Sequence, residues 1–229
     1  MEYFLDSANI EKIKYINEFY PIAGVTTNPI IIAREKEEFL PLLKEIRSCI
    51  GPDKKLFVQT VSEEAPQMLQ EAAALRQAVG GALCIKVPIT VQGLKAVSLL
   101  TVQGFSVTAT AVYTPQQALL AAMAGASYVA PYISHLDNMA LDGPDTAGQM
   151  AALLKAQALD CQVLGASFRL ASQVNRVIEK GAGAVTITAE MFDALIENPG
   201  TAAELEAFRA HWQQVYQDKT ITHLIESFL

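Results

Sequence analysis

Short β-forming runs alternate with helix-forming stretches about eight times over residues 1–200, and no other feature restricts the fold as tightly. The strand candidates are YFLDSA from Tyr3, AGVTTN from Ala23, KLFVQTV from Lys55 and LCIKVP from Leu83. FSVTATAVY from Phe105, YVAPYIS from Tyr128, QVLGASF from Gln162 and AVTITAE from Ala184 follow. Between them lie amphipathic or alanine-rich stretches such as SEEAPQMLQEAAALRQAVG and TPQQALLAAMAGA. Ser62, Thr90, Thr114 and Asp145 stand where N-caps belong, and Gly80, Gly104 and Gly125 where helices close. Strands joined by helical crossovers run parallel. This count, in 229 residues, matches an α/β fold of the (β/α)8 TIM barrel type. An open doubly wound sheet alternates in the same way, but LDSANIEKIK after the first strand carries no glycine-rich phosphate fingerprint. The rhythm changes after Asn198-Pro199-Gly200. The chain reads as a barrel over 1–200. Residues 201–229 read as an additional C-terminal helix and an apolar tail, TITHLIESFL, packing on the barrel or on a neighbouring subunit.

Composition removes several function classes. At 51% hydrophobic and 18% charged the chain can bury a large core. A net charge of -7 repels nucleic acid and anionic membranes, so neither is an expected partner. Cys49, Cys84 and Cys161 are odd in number and widely spaced, which predicts reduced core thiols. His135, His211 and His223 form no ligand pair at helical spacing, so metal-free chemistry is expected. MEYFLDSANI lacks the basic start and long apolar core of a signal peptide, and a cytoplasmic location is expected. No apolar run is long enough to span a bilayer.

The most informative stretch is ALCIKVPIT, Ala82 to Thr90, which is apolar apart from Lys86 and its closing threonine. Strand side chains alternate between faces. Leu83, Ile85 and Val87 therefore share the face toward the helices, while Cys84 and Lys86 point into the barrel. By the same test Asp6 ends the first strand, Asn28 the second, and Gln59 lies near the end of the third. Thr110 lies in the fifth, Tyr132 in the sixth and Ser167 in the seventh. Each alone has an ordinary structural reading: a snorkelling lysine, a helix cap, a satisfied hydroxyl. Together they form a ring at the strand ends where barrel active sites are built.

GVTTNP on the second strand, IKVP on the fourth, TAVY on the fifth, APY on the sixth and GASFR on the seventh resemble the transaldolase family. The likeness covers nearly the whole chain in order, and is nearest to the short branch, the fructose-6-phosphate aldolases. It implies a class I aldolase with Lys86 as Schiff-base residue and no cofactor. It further implies Asp6, Thr26, Asn28, Gln59, Thr110, Ala130, Tyr132 and Ser167 as pocket residues. It also implies a homo-oligomer, a pentamer or decamer, in which the C-terminal helix reaches over a neighbouring subunit. The long transaldolases carry glutamate and phenylalanine where this chain has Gln59 and Tyr132. Glutamine takes no proton, whereas a phenol donates or accepts one, so the exchange moves the acid–base function to another wall. The resemblance implies that this favours release of free ketone over transfer. Two local departures stand out. Ile30 replaces the serine usual after TTNP, and His135 replaces the arginine that holds the substrate phosphate, leaving Ser167 and Arg169 for that end. The C-terminus is also somewhat extended.

The expected chemistry follows from the amine. Apolar walls strip a lysine of hydration and lower its pKa, which makes the neutral nucleophile available. Lys86 is expected to attack dihydroxyacetone or a ketose such as fructose 6-phosphate, giving an iminium electron sink. Tyr132 is the expected general acid/base, through a water held by Gln59 and Thr110. Asp6 and Asn28 are expected on the donor hydroxyls, with Asp6 also able to pass protons, and Ser167, Arg169 and His135 at the far end of the aldehyde. Backbone donors of the helix after Phe168 could add to a phosphate site. A true transaldolase, handing the three-carbon unit to erythrose 4-phosphate, uses the same lysine. A catalytically silent barrel with a binding or structural role is the alternative from another class.

Overall fold

A computed structural model describes residues 1–227; Phe228 and Leu229, the end of the expected tail, lie outside the described residues. The chain divides into two compact units, Met1–Phe192 and Asp193–Leu229. In the first, eight strands stand in chain order: β1 (Glu2–Asp6), β2 (Gly24–Thr26), β3 (Lys55–Gln59), β4 (Leu83–Pro88), β5 (Ser106–Val112), β6 (Tyr128–Pro131), β7 (Gln162–Gly165) and β8 (Ala184–Ile187). All neighbouring pairs are parallel, and β1 pairs with β8, so the sheet closes into the expected (β/α)8 barrel. The first helices are α1 (Ile10–Phe19), α2 (Pro29–Glu35), α3 (Phe39–Ile50), α4 (Ala65–Val79) and α5 (Val91–Val102). They are followed by α6 (Pro115–Met123), α7 (Ile133–Asn138), α8 (Gly143–Ala156), α9 (Ala171–Glu179) and α10 (Ala189–Ile196), the last spanning the division between the units.

Alternation along the strands sorts the core into two layers. Leu5, Val58, Ile85, Val107, Val129 and Val185 face the helices and are fully buried. Inside the barrel, Phe4, Phe57, Cys84, Tyr128, Leu164 and Ala184 form one buried cluster. The Phe57 ring meets Phe4 and Tyr128 edge-on, with centroids 4.8 and 5.6 Å apart, the arrangement aromatic quadrupoles favour. Toward the strand starts, Lys55 Nζ donates to Glu2 Oε1 at 2.7 Å and to the Tyr128 hydroxyl, so the floor of the barrel is polar but paired. Gly24 makes close β2–β3 approach possible, since a Cβ there would lie 1.9 Å from the Lys55 carbonyl oxygen.

The helix starts divide. Thr90 and Thr114 cap α5 and α6, accepting from Gly93 N at 2.9 Å and Gln117 N at 3.2 Å. Ser62 does not cap: α4 starts at Ala65, and the Ser62 hydroxyl donates to Glu71. Asp145 lies within the first turn of α8, where Asp142 is the cap and accepts from Asp145 N at 2.8 Å. The competing signal was Asp142-Gly143-Pro144, with proline near the helix start. Gly80 closes α4 in the left-handed region at φ 65°. Two short helices, α2 and α7, were not anticipated; α2 uses Asn28 as its cap and Pro29 in its first turn.

The second unit carries α11 (Pro199–Tyr216) and α12 (Ile221–Glu226). Asn198 caps α11 and Thr220 caps α12. Trp212 Nε1 donates to the Lys219 carbonyl at 2.8 Å and its ring lies tilted against Tyr216 with centroids 4.6 Å apart, which ties the end of α11 to the turn before α12. Neither helix contains a buried residue, and Phe208, Val215, Ile221 and Ile225 are exposed.

Candidate active site

At the C-terminal ends of the strands the barrel interior changes from apolar to polar. Lys86 projects inward one pleat above Cys84 and is 6% exposed. Its Nζ donates to the Thr27 carbonyl at 2.8 Å and, among the described residues, has no carboxylate within 4.0 Å. Thr27 is itself fixed, with its N and Oγ1 both donating to the Phe57 carbonyl at 3.0 and 2.7 Å. Burial pushes the Lys86 pKa down, and the charge of Asp6 only partly opposes this. Burial likewise pushes the Asp6 carboxyl up, against the pull of Lys86 and of the Thr26 hydroxyl. Thr26 Oγ1 donates to Asp6 Oδ1 at 2.7 Å and also contacts the Thr186 hydroxyl. These opposed shifts favour an uncharged amine facing a carboxyl that gives up its proton late.

The second wall is built by a bulge. The register between β5 and β6 slips between Thr110 and Val112, and Ala111 sits in the left-handed region at φ 56° without being glycine. The slip leaves Thr110 Oγ1 2.8 Å from the Tyr132 hydroxyl, and the Ala111 N–H also reaches that oxygen. Burial raises the Tyr132 pKa, while those two hydrogen bonds work the other way. Tyr132 stands just beyond β6, where it bridges Ala166 beyond β7. Tyr113 and His135 meet its ring edge-on at 6.0 and 5.3 Å. Gln59 is the register partner of Lys86 on the neighbouring strand. Its Oε1 is a buried acceptor without a hydrogen-bond partner among the described residues. Gln59 also lines, with Thr60, Pro88 and Thr90, a cleft of about 670 Å³ whose lining does not include Lys86.

The remaining expected residues fall differently. Asn28 is spent on α2, its Oδ1 accepting from Ile30 N at 3.0 Å and Ile31 N at 2.9 Å. Ala130 packs in the buried interior cluster at 2% exposure. Ser167 lies two residues past β7 in the left-handed region at φ 60°, its hydroxyl 2.9 Å from that of Ser134. Arg169 is exposed. Its N–H and that of Leu170, just before α9, both donate to Gln173 Oε1, at 2.9 and 3.0 Å. Gln173 is held in turn by Asp137. His135 is exposed, with Nδ1 3.2 Å from the Tyr113 hydroxyl. Sequence reasoning missed Thr27, Tyr113, Ser134, Gln173 and Thr186. Thr186 had a usable signal, since it shares the inward phase of Ala184 at the end of β8.

No group of three or more His, Cys, Asp or Glu side chains among the described residues could hold a metal ion. Cys49, Cys84 and Cys161 are free thiols. No helix among the described residues is long and apolar enough to cross a membrane.

Barrel enzymes work at the carboxyl ends of their strands, and here that rim holds a desolvated amine among hydroxyls and one carboxyl. The class this defines is an aldolase-type enzyme. More particularly, the chain belongs to the Transaldolase/Fructose-6-phosphate aldolase family, which matches residues 3–227. Among solved structures the fold is similar to a protein of Pediococcus acidilactici described as a lactate oxidase, with a TM-score of 0.58 at 12% identity. That likeness covers 82% of this chain, and the chain spans 62% of the length of the other. At that identity it speaks for the barrel alone.

Proposed function

We propose that the chain is a fructose-6-phosphate aldolase-like lyase that makes and breaks a carbon–carbon bond through a Schiff base on Lys86. The observation that carries this is the buried Nζ, held by a carbonyl oxygen at 2.8 Å, with its pKa lowered by burial. The neutral amine adds to the C2 carbonyl of the ketose. Tyr132 donates its phenolic proton to the departing hydroxyl, so water leaves and an iminium remains beside the phenolate. The phenolate then takes the C4 hydroxyl proton through a water held by Gln59 and Thr110. The C3–C4 bond breaks, its electron pair enters the C2–C3 bond, and the iminium becomes a neutral enamine as the aldehyde departs. Protonation at C3 and hydrolysis release dihydroxyacetone and restore the amine. Asp6 and Thr26 bind the donor hydroxyls, with Asn28 at the margin through whatever its cap leaves free, and Ala130 walls the floor.

Gln59 and Tyr132 favour the aldolase branch over transfer, because the proton-handling group is the phenol and not a carboxyl. At the acceptor end, Arg169 supplies a cation, and Ser167 and His135 supply further polar contacts. The enzyme works in the cytoplasm as a homo-oligomer, a pentamer or decamer, which covers the exposed apolar side chains of α11 and α12. Fructose 6-phosphate given to the enzyme alone is expected to yield free dihydroxyacetone and glyceraldehyde 3-phosphate. Consumption of the ketose only after erythrose 4-phosphate is added would make the protein a transaldolase.

A further inference from the structure

One carboxylate near the rim has no role in this chemistry and, among the described residues, no cation to pair with. Glu71 lies mid-way along α4, too far from the helix start to act as a cap. Among the described residues it forms no ion pair. Instead it is filled by the segment joining β3 to α4. Glu71 Oε2 accepts from Val61 N at 2.9 Å, Oε1 accepts from Ser62 N at 3.2 Å, and Oε1 also accepts from the Ser62 hydroxyl. The Val61 side chain is 72% exposed, so apolar packing does little to hold this segment. The pin is polar, and charge-assisted hydrogen bonds are the strong kind.

The pinned residues lie two and three positions after Gln59, with Thr60 between. Thr60 N and Oγ1 both donate to the backbone carbonyl of Lys86, at 3.0 and 3.3 Å. Gln59 is the register partner of Lys86 in the β3–β4 ladder. Gln59 also carries a buried oxygen without a hydrogen-bond partner among the described residues. The ladder and the Thr60–Lys86 contacts hold Gln59 and Thr60 toward β4, and the next anchor beyond Thr60 is the Glu71 carboxylate.

We propose that Glu71 is a positioning residue for the reaction: it clamps the segment after β3 so that Gln59 stays aimed into the site beside Lys86. The proposal rests on the Schiff-base reading above. A group that only positions should change turnover more than ground-state binding, and should act through Gln59.

The test is a double-variant cycle in fructose 6-phosphate cleavage, using Glu71→Ala, Gln59→Ala and the pair together. Glu71→Ala is expected to lower kcat about tenfold with KM changed by less than about twofold, and Glu71→Gln, which keeps an acceptor oxygen, to recover part of the loss. The double variant is expected to be no slower than Gln59→Ala alone. An unchanged kcat in Glu71→Ala, or losses that multiply in the double variant, overturns the role. Thermal unfolding is followed in parallel. If Glu71→Ala does not fold, Glu71→Gln carries the same cycle. Wild-type protein is first reduced with borohydride in dihydroxyacetone. No adduct there overturns the reaction and the proposal with it, whereas a normal adduct with multiplying losses overturns the proposal alone.

Discussion

Lys86→Met is expected to end carbon–carbon cleavage, with kcat/KM for fructose 6-phosphate falling by about 10,000-fold or more, while the protein still folds. Methionine keeps an unbranched apolar side chain one atom shorter and removes the amine proposed to form the C=N bond. It also removes a buried amine whose pKa is pushed down by burial, with an opposing contribution from Asp6. The sign of the stability effect follows. Between the lowered folded pKa and the ordinary lysine value of 10.5, the unfolded chain binds a proton that the folded one does not. The contribution of Lys86 to stability is therefore complete above 10.5 and is lost as pH falls through its folded pKa. Removing the amine removes that loss, so the midpoint of thermal unfolding at neutral pH should equal or exceed that of the wild type. A site that costs stability in exchange for reactivity behaves in this way. In the wild type, kcat/KM should fall on the acid side as the free amine becomes protonated. A Lys86→Met protein that is inactive because it is unfolded, as judged by circular dichroism, would speak against this account of the residue.

Tyr132→Phe is expected to separate the two halves of the chemistry. The phenol hydroxyl is removed, and with it the group that bonds Thr110 at 2.8 Å. The ring stays, edge-on to Tyr113 and His135. Loss of a positioned acid/base lowers turnover by about 100- to 10,000-fold. Lys86 is untouched, so dihydroxyacetone should still be trapped on it by borohydride, more slowly because hydroxide must leave without the phenolic proton. Rapid-quench kinetics with fructose 6-phosphate measure this directly. If kcat in Tyr132→Phe stays within about threefold of the wild type, the proton is handled elsewhere, and the raised carboxyl of Asp6 becomes the first candidate.

The barrel and the inward direction of Lys86 were legible because both depend on periodicity. Alternation along LCIKVP fixes the face of Lys86 from Cys84 alone, and the count of strand–helix units fixes closure. Asp6, Gln59 and Thr110 were found by the same two-residue period. What period cannot report is where the chain leaves the strand. Asn28 was assigned to the end of β2, but the strand stops at Thr26 and the asparagine turns to cap α2. The left-handed residues Ala111 and Ser167 were equally silent, since neither is the glycine that usually marks such a backbone. The contacts of Lys86 with Thr27, of His135 with Tyr113 and of Glu71 with Ser62 join residues on different elements or across a turn. Such pairings arise only when loops settle over the rim, and strand phase carries no information about them. The same limit applies just before α9, where Gln173 reaches back to take the N–H groups of Arg169 and Leu170.

The most direct measurement is chemical. The protein is reduced with borohydride in the presence of dihydroxyacetone, digested, and mapped by mass spectrometry. A single three-carbon adduct on Lys86, absent without the ketone and absent in Lys86→Met, is the predicted result. An adduct confined to another lysine, or activity that proceeds with no lysine trapped at all, would contradict the assignment of the buried amine as the bond-forming group.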